Sequence, residues 1–153
     1  PGFAPFADVA AVNPRTDTRR PIAASPHTAR IAPAVWTGTE MSITAGRTKD
    51  GDGPFAFGDG AAYDPTHDTW RKIAGGPAHP GFRAAWTGTV LLVFAKGGGL
   101  SYSPESDAWT SLDSAGMFPG AGPALWTGRD VLLVGTAYRN TTPIGFVTAY
   151  TPQ

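Results

Sequence analysis

The chain is predicted to be all-β, assembled from repeated units of four antiparallel strands. Three observations carry that prediction. The tripeptide Trp-Thr-Gly occurs three times, a second element of the form Tyr-x-Pro-x-x-Asp-x-Trp alternates with it, and no segment shows sustained helical periodicity. The composition agrees. Glycine (20) and proline (15) make up about a quarter of the 153 residues, among 41% hydrophobic and 11% aromatic residues. A chain with that much apolar surface folds, and its Gly and Pro suit many short strands joined by tight turns.

Taken in order, the first kind of element is a hairpin. Trp36-Thr37-Gly38, Trp86-Thr87-Gly88 and Trp126-Thr127-Gly128 are each preceded by small apolar residues and followed, after one or two polar residues, by an apolar run. Those runs are Met41 to Ala45, Val90 to Phe94 and Val131 to Val134. Thr-Gly is placed in the turn because glycine takes the positive φ that tight hairpins need.

The second kind is Ala62-Tyr63-Asp64-Pro65-Thr66-His67-Asp68-Thr69-Trp70 and its counterpart Ser101 to Trp109. A degenerate first copy runs from Ala11 to Arg19, and a truncated last one is Ala149-Tyr150-Thr151-Pro152. Here a strand ends in Tyr, proline pre-sets φ in the turn, Asp can bond nearby amides, and the next strand opens with Trp.

The spacings order these elements into one unit. From the Tyr position to the Trp position is seven residues in every complete copy, and from there to the next Trp-Thr-Gly is 17, 16 and 17. From Trp-Thr-Gly to the following Tyr it is 27, 16 and 24. Call the strands one to four: one ends in Trp-Thr-Gly, two is the apolar run, three ends in Tyr, four begins near Trp. Because strands alternate in direction, the one–two and three–four turns share one end of the unit. The two–three and four–one connections share the other, and the length variation falls there. Loops on a rigid scaffold are where function usually lies.

These residues resemble the kelch repeat family of β-propellers, in particular bacterial kelch-like repeats and the blades of galactose-oxidase-like central domains. The resemblance covers about Ala7 to Pro152. It implies a single propeller segment over 1–153, about three blades, with blade parts 6–22, 30–73, 81–112 and 121–152. The family's double glycine after strand two is intact only at Gly97-Gly98-Gly99, and the first tryptophan mark is Arg19, so the first blade is degenerate or lies at an edge. Such propellers include protein-interaction modules, carbohydrate-associated domains, a sugar-acid epimerase and galactose oxidase, and fold alone does not choose among them.

Twelve basic and twelve acidic residues balance, which gives no electrostatic footprint for nucleic acid or an anionic membrane. The longest apolar run is too short to cross a bilayer. Without cysteine there is no disulfide, no thiolate metal site and no copper–tyrosyl centre of the galactose oxidase type, and the redox compartment is unreadable. The repeat style suggests a secreted or cell-envelope bacterial setting. The start at Pro1 suggests processing or a boundary within a longer chain. No cofactor and no metal are expected. The three histidines (His27, His67, His79) show no ligand spacing, and His67 reads as a surface turn residue. Asp50-Gly51-Asp52-Gly53, with Asp59 downstream, echoes a calcium loop but lacks its further acidic ligands. Asn140-Thr141-Thr142 matches a glycosylation sequon and reads as a polar loop.

The repeated aromatics (Trp36, Trp86, Trp126, Tyr63, Tyr102, Trp70, Trp109) are assigned to packing between blades. Candidate ligand-binding residues are those that do not repeat and fall on the variable-loop end. From the two–three loops come Arg47, Phe55, Phe57, Tyr138 and Arg139, with Lys49, Asp50 and Asn140 beside them. From the four–one connections come His79, Arg83, Met117 and Phe118. Exposed Phe, Tyr, Met and Arg are enriched at recognition surfaces. Arg83 stands where the family often carries an arginine near the central channel. Pro33 and Pro123 hold the equivalent positions, so no arginine ring forms, and that absence weakens an anionic-ligand reading.

The expected function is a non-catalytic binding module for a protein or carbohydrate partner. The alternative is an enzyme of hydrolase, lyase or sugar-epimerase type with its site at the propeller channel. Three blades leave apolar flanks open, so the chain is expected to be part of a longer propeller or to close with copies of itself, most simply as a dimer of six blades.

Overall fold

The computed structural model describes residues 10–44, 46, 57–76, 83–95, 98–112, 122–139 and 141–152. Among these, thirteen strands form four antiparallel sheets, and none of the described residues is helical. The chain divides into two compact units, Pro1–Pro80 and Gly81–Gln153.

The first unit holds a two-stranded sheet, β1 (Ala10–Asn13) and β2 (Thr18–Pro21), and a four-stranded sheet of β3 (Ala34–Trp36), β4 (Met41–Thr44), β5 (Gly60–Asp64) and β6 (Thr69–Ile73). The second unit holds a four-stranded sheet of β7 (Arg83–Trp86), β8 (Leu91–Ala95), β9 (Gly98–Ser103) and β10 (Ala108–Leu112). Its other sheet has three strands, β11 (Ala124–Trp126), β12 (Val131–Arg139) and β13 (Thr142–Tyr150). Every sheet is a meander in chain order, as the spacings of the repeat require.

Two turn chemistries build these sheets. In the hairpin after each Trp-Thr-Gly strand, glycine takes a positive φ of 103°, 105° or 97° at Gly38, Gly88 and Gly128. The preceding threonine closes the turn from both sides. Thr87 Oγ1 accepts from Val90 N at 3.1 Å and donates to Val90 O at 3.1 Å, and Thr37 and Thr127 do the same to Glu40 and Asp130. In the three–four turn the final Asp is left-handed, with φ of 51°, 53° and 49° at Asp17, Asp68 and Asp107. Asp tolerates this region better than most residues. Its carboxylate accepts the tyrosine hydroxyl that ends strand three, at 2.6 Å for both Tyr63–Asp68 and Tyr102–Asp107. The first turn residue adds a second lock, as Asp64 Oδ1 accepts from Thr66 N at 2.8 Å and Asn13 Oδ1 from Arg15 N at 2.9 Å.

Cross-strand partners share a face of the sheet. Trp36, Met41, Tyr63 and Trp70 are successive partners, as are Trp86, Leu91, Tyr102 and Trp109. Within each row Tyr and Trp lie 5.1 Å apart, tilted at 42° and 40°. In the second unit the two sheets pack face to face. Ala85, Leu92 and Phe94 from the four-stranded sheet meet Val131 and Leu133 from the other, with Trp126 and Tyr150 against them. Phe94 and Tyr150 make an edge-to-face contact at 5.5 Å.

In the first unit, Trp70 Nε1 donates to Ala23 O at 2.8 Å and Ala23 N donates to Asp68 Oδ1 at 2.9 Å. These tie the segment after β2 to the outer strands of the four-stranded sheet. Trp36 departs from the packing role expected of it, being 54% exposed. Among the described residues the neighbouring sheet has only β1 and β2, which correspond to strands three and four.

The expected loop after Val134 is a second departure. β12 and β13 run on as a nine-residue ladder, from Val131↔Tyr150 to Arg139↔Thr142. The segment is rich in Thr, Val, Ile, Phe and Tyr, which favour the extended pleat over a loop.

Candidate functional site

The two ends of these sheets differ in how completely their polar groups are satisfied. At the end of the stereotyped turns, threonine hydroxyls, Asp carboxylates and Tyr hydroxyls are paired in repeat after repeat. His67 belongs here: it is exposed, and its Nδ1 lies 2.5 Å from Asp64 Oδ2. That contact, reinforced by amides of the turn, holds the Asp64 carboxyl below its usual range. At the other end two side-chain atoms, His27 Nε2 and Arg83 NH1, are buried without a hydrogen-bond partner among the described residues. Such atoms are rare in folded proteins, and each calls for an explanation.

In the first unit the four–one connection, residues 22–33, meets the end of the two–three connection, residues 57–59. Asp59 is the meeting point. Its Oδ1 accepts from Arg30 NH1 at 2.5 Å, and its Oδ2 accepts from Arg30 NH2 at 3.1 Å and from His27 Nδ1 at 2.9 Å. Arg30 also donates through Nε to Thr28 O at 3.1 Å, and its guanidinium lies 3.9 Å over the ring of Phe57. The fork geometry and adjacent positive charge hold the Asp59 carboxyl below its usual range, the Arg30 hydrogen bonds being the largest cause. An ionised carboxylate only accepts, so Nδ1 of His27 carries the donated proton. Nε2 is then the unengaged nitrogen.

The His27 and Arg30 side chains are 6% exposed, whereas that of Asp59 is 56% exposed. The cluster therefore clamps the two connections together and presents one edge of a neutralised carboxylate outward. Gly76 N to Gly58 O at 2.7 Å and Phe57 N to Gly46 O at 2.9 Å hold the same connection from either side. The calcium echo around Asp59 is not realised at Asp59 itself, whose oxygens are taken by Arg30 and His27. Among the described residues no group of three or more His, Asp or Glu is arranged to hold a metal ion.

In the second unit Arg83 opens β7 opposite Phe94, on the same face as Ala85. It was expected on an exposed recognition surface and is instead 8% exposed. Its place in a strand whose Arg83/Ala85 side turns inward buries the guanidinium, and desolvation lowers its pKa. No ion pair or hydrogen bond compensates among the described residues.

The other expected residues separate as follows. Phe57 is half-buried under Arg30. Tyr138 and Arg139 are placed by their backbone on β12 and not in a loop, and their side chains lie outside the described residues, as does Asn140. Arg47, Lys49, Asp50, Phe55, His79, Met117 and Phe118 also lie outside them. Sequence reasoning missed His27, Arg30 and Asp59 as a group. The only available signal was that all three fall in connections on the variable end, a feature shared with many other residues. The chain matches no protein-family model and no curated protein.

Proposed function

We propose that the chain is a kelch-type recognition module, non-catalytic and free of cofactors, which binds a protein or carbohydrate partner through its variable-loop end. The observation that carries this reading is the Arg83 guanidinium, buried with NH1 unpaired among the described residues. A buried cation without a counter-charge is costly, and a carboxylate presented by a ligand removes that cost through fork-to-fork hydrogen bonds. The partner is therefore one that presents a carboxylate, on an acidic side chain or an acidic sugar. A closed homo-oligomer is the assembly that goes with it.

A glycan array combined with a pull-down identifies the class of partner. The Arg83→Met variant, confirmed folded by circular dichroism, is expected to lose binding by tenfold or more, and Arg83→Lys to recover part of it. Equal binding by wild type and Arg83→Met overturns the reading.

One observation favours a second reading. Asp59 orients His27 through Nδ1 and leaves Nε2 unengaged, the arrangement of a general base. This is the enzymatic alternative, a hydrolase, lyase or sugar epimerase. Nε2, like Arg83 NH1, is buried, so burial does not separate the two readings. Turnover of an acidic sugar that His27→Gln abolishes would establish it.

A further inference from the structure

We propose that His27 anchors a hydroxyl group of a sugar, its Nε2 accepting the hydroxyl proton where the four–one and two–three connections of the first unit meet. The inference rests on the recognition reading for the end of the sheets at which a partner docks, and it is independent of ligand capture at Arg83.

The tautomer decides what the site can take. The Arg30 fork keeps Asp59 ionised, and an ionised carboxylate only accepts. Asp59 Oδ2 therefore takes the Nδ1 proton of His27 at 2.9 Å, and the neutral ring keeps its lone pair at Nε2. That lone pair is buried and meets no donor among the described residues, in a side chain that is almost fully buried. A buried acceptor without a donor destabilises the free protein, and a ligand group that donates to it relieves the penalty.

The neighbouring groups narrow the class of donor. A carboxylate brings no proton to Nε2. A cation meets the Arg30 guanidinium, which already neutralises Asp59. A metal ion would use the same lone pair, with Asp59 orienting the ring, but no group of three or more His, Asp or Glu among the described residues is placed to complete its shell. An amide N–H carries a carbonyl that needs a donor of its own, and Arg30 already donates to Asp59 and Thr28. A hydroxyl is the smallest of these donors and rotates to aim its proton. The acceptor capacity continues at the outer edge of Asp59, whose side chain is more than half exposed. Acceptors at two places on one cluster suit a neutral ligand with several hydroxyls, which is the chemistry of a sugar.

Long-range proton–nitrogen correlation spectra of the whole chain read the tautomer and the hydrogen bonding of each histidine ring directly. At a pH well above the ordinary imidazole value, the unliganded protein is expected to show His27 protonated at Nδ1 with a bare Nε2. Methyl glycosides of glucose, galactose, mannose and N-acetylglucosamine are then titrated singly. At least one is expected to move the His27 Nε2 signal toward that of an accepted hydrogen bond, with the exposed His67 unmoved as the internal control. His27→Phe is expected to weaken binding of that glycoside tenfold or more, and His27→Gln, which keeps an acceptor, to recover part of it. Should His27→Phe fail to fold, the wild-type spectra still decide. An Nε2 signal that none of the glycosides moves overturns the proposal, and so does one moved by N-methylacetamide alone. An accepted bond already present without ligand, and altered by no glycoside, assigns Nε2 to an ordered water and overturns it too. Capture of a carboxylate that depends on Arg83, with His27 unmoved, removes this inference and leaves the proposed function standing. A His27 response without any binding that depends on Arg83 does the reverse.

Discussion

Trp36 and Trp126 hold the same place in the repeat, each ending a strand one and each followed by the same threonine-locked turn. Their surroundings differ. Trp126 packs on a cluster of buried Leu, Val and Phe, while Trp36 stands largely in solvent beside a groove. Among the described residues the sheet around Trp126 faces a four-stranded neighbour, whereas the sheet around Trp36 has two short strands beside it. A repeat motif therefore specifies the hairpin, and the neighbouring unit specifies whether the aromatic is core. The buried residues follow suit. In the second unit they include Leu91, Leu92, Val93, Phe94, Tyr102, Val131 and Leu133, and in the four-stranded sheet of the first they are Ala61, Ala62, Tyr63, Ile73, Ser42 and Thr44.

The comparison breaks most visibly at the core. Phe94→Ala is expected to destabilise the second unit by about 3–5 kcal/mol, as deletion of a fully buried aromatic does, and Trp36→Ala by about 1 kcal/mol or less. Chemical denaturation of the two variants measures both. Similar costs would mean that Trp36 is covered in solution.

A backbone test is expected to come next in size. Gly88→Ala and Gly38→Ala should each cost about 1–3 kcal/mol, because the added Cβ meets nothing within 4 Å and the penalty comes from φ alone. Equal costs in the two units would show that the turn is autonomous, and unequal ones would tie it to packing.

Smaller still, Tyr102→Phe and Tyr63→Phe each remove a hydroxyl donated to a carboxylate, at about 1–2 kcal/mol in thermal or chemical unfolding. If only Tyr102→Phe destabilises, the lock matters only where the sheet behind it is fully packed.

The smallest effect expected is one of pH. The Asp59 carboxyl has its pKa lowered by Arg30 and His27. A group of that sign contributes stability above its unfolded value, near 3.8, and loses it as pH falls through the lower folded value. Asp59 is more than half exposed, so solvent screening limits the contribution to well under 1 kcal/mol. Unfolding midpoints of the wild type and Asp59→Asn should diverge above pH 4 and converge in stronger acid. Parallel curves throughout would show that the clamp does not form.

The sequence by itself determined the all-β class, the order of strands in each sheet and both kinds of turn. These depend on local chemistry: glycine at positive φ, a threonine hydroxyl within reach of the amide three residues on, and an Asp set five residues after a Tyr. The two-fold spacing of side chains along a strand then fixed which residues share a row, and so which aromatics meet. Tertiary structure decided everything that depends on what lies opposite a face. It left Trp36 exposed and buried Arg83, because the facing sheet, and not the residue's own strand, sets solvent access. It extended β12 and β13 where a loop was expected, because two moderately β-prone segments become a ladder only once each has the other to pair with. It also joined His27, Arg30 and Asp59 from connections about thirty positions apart, a meeting that no local pattern encodes.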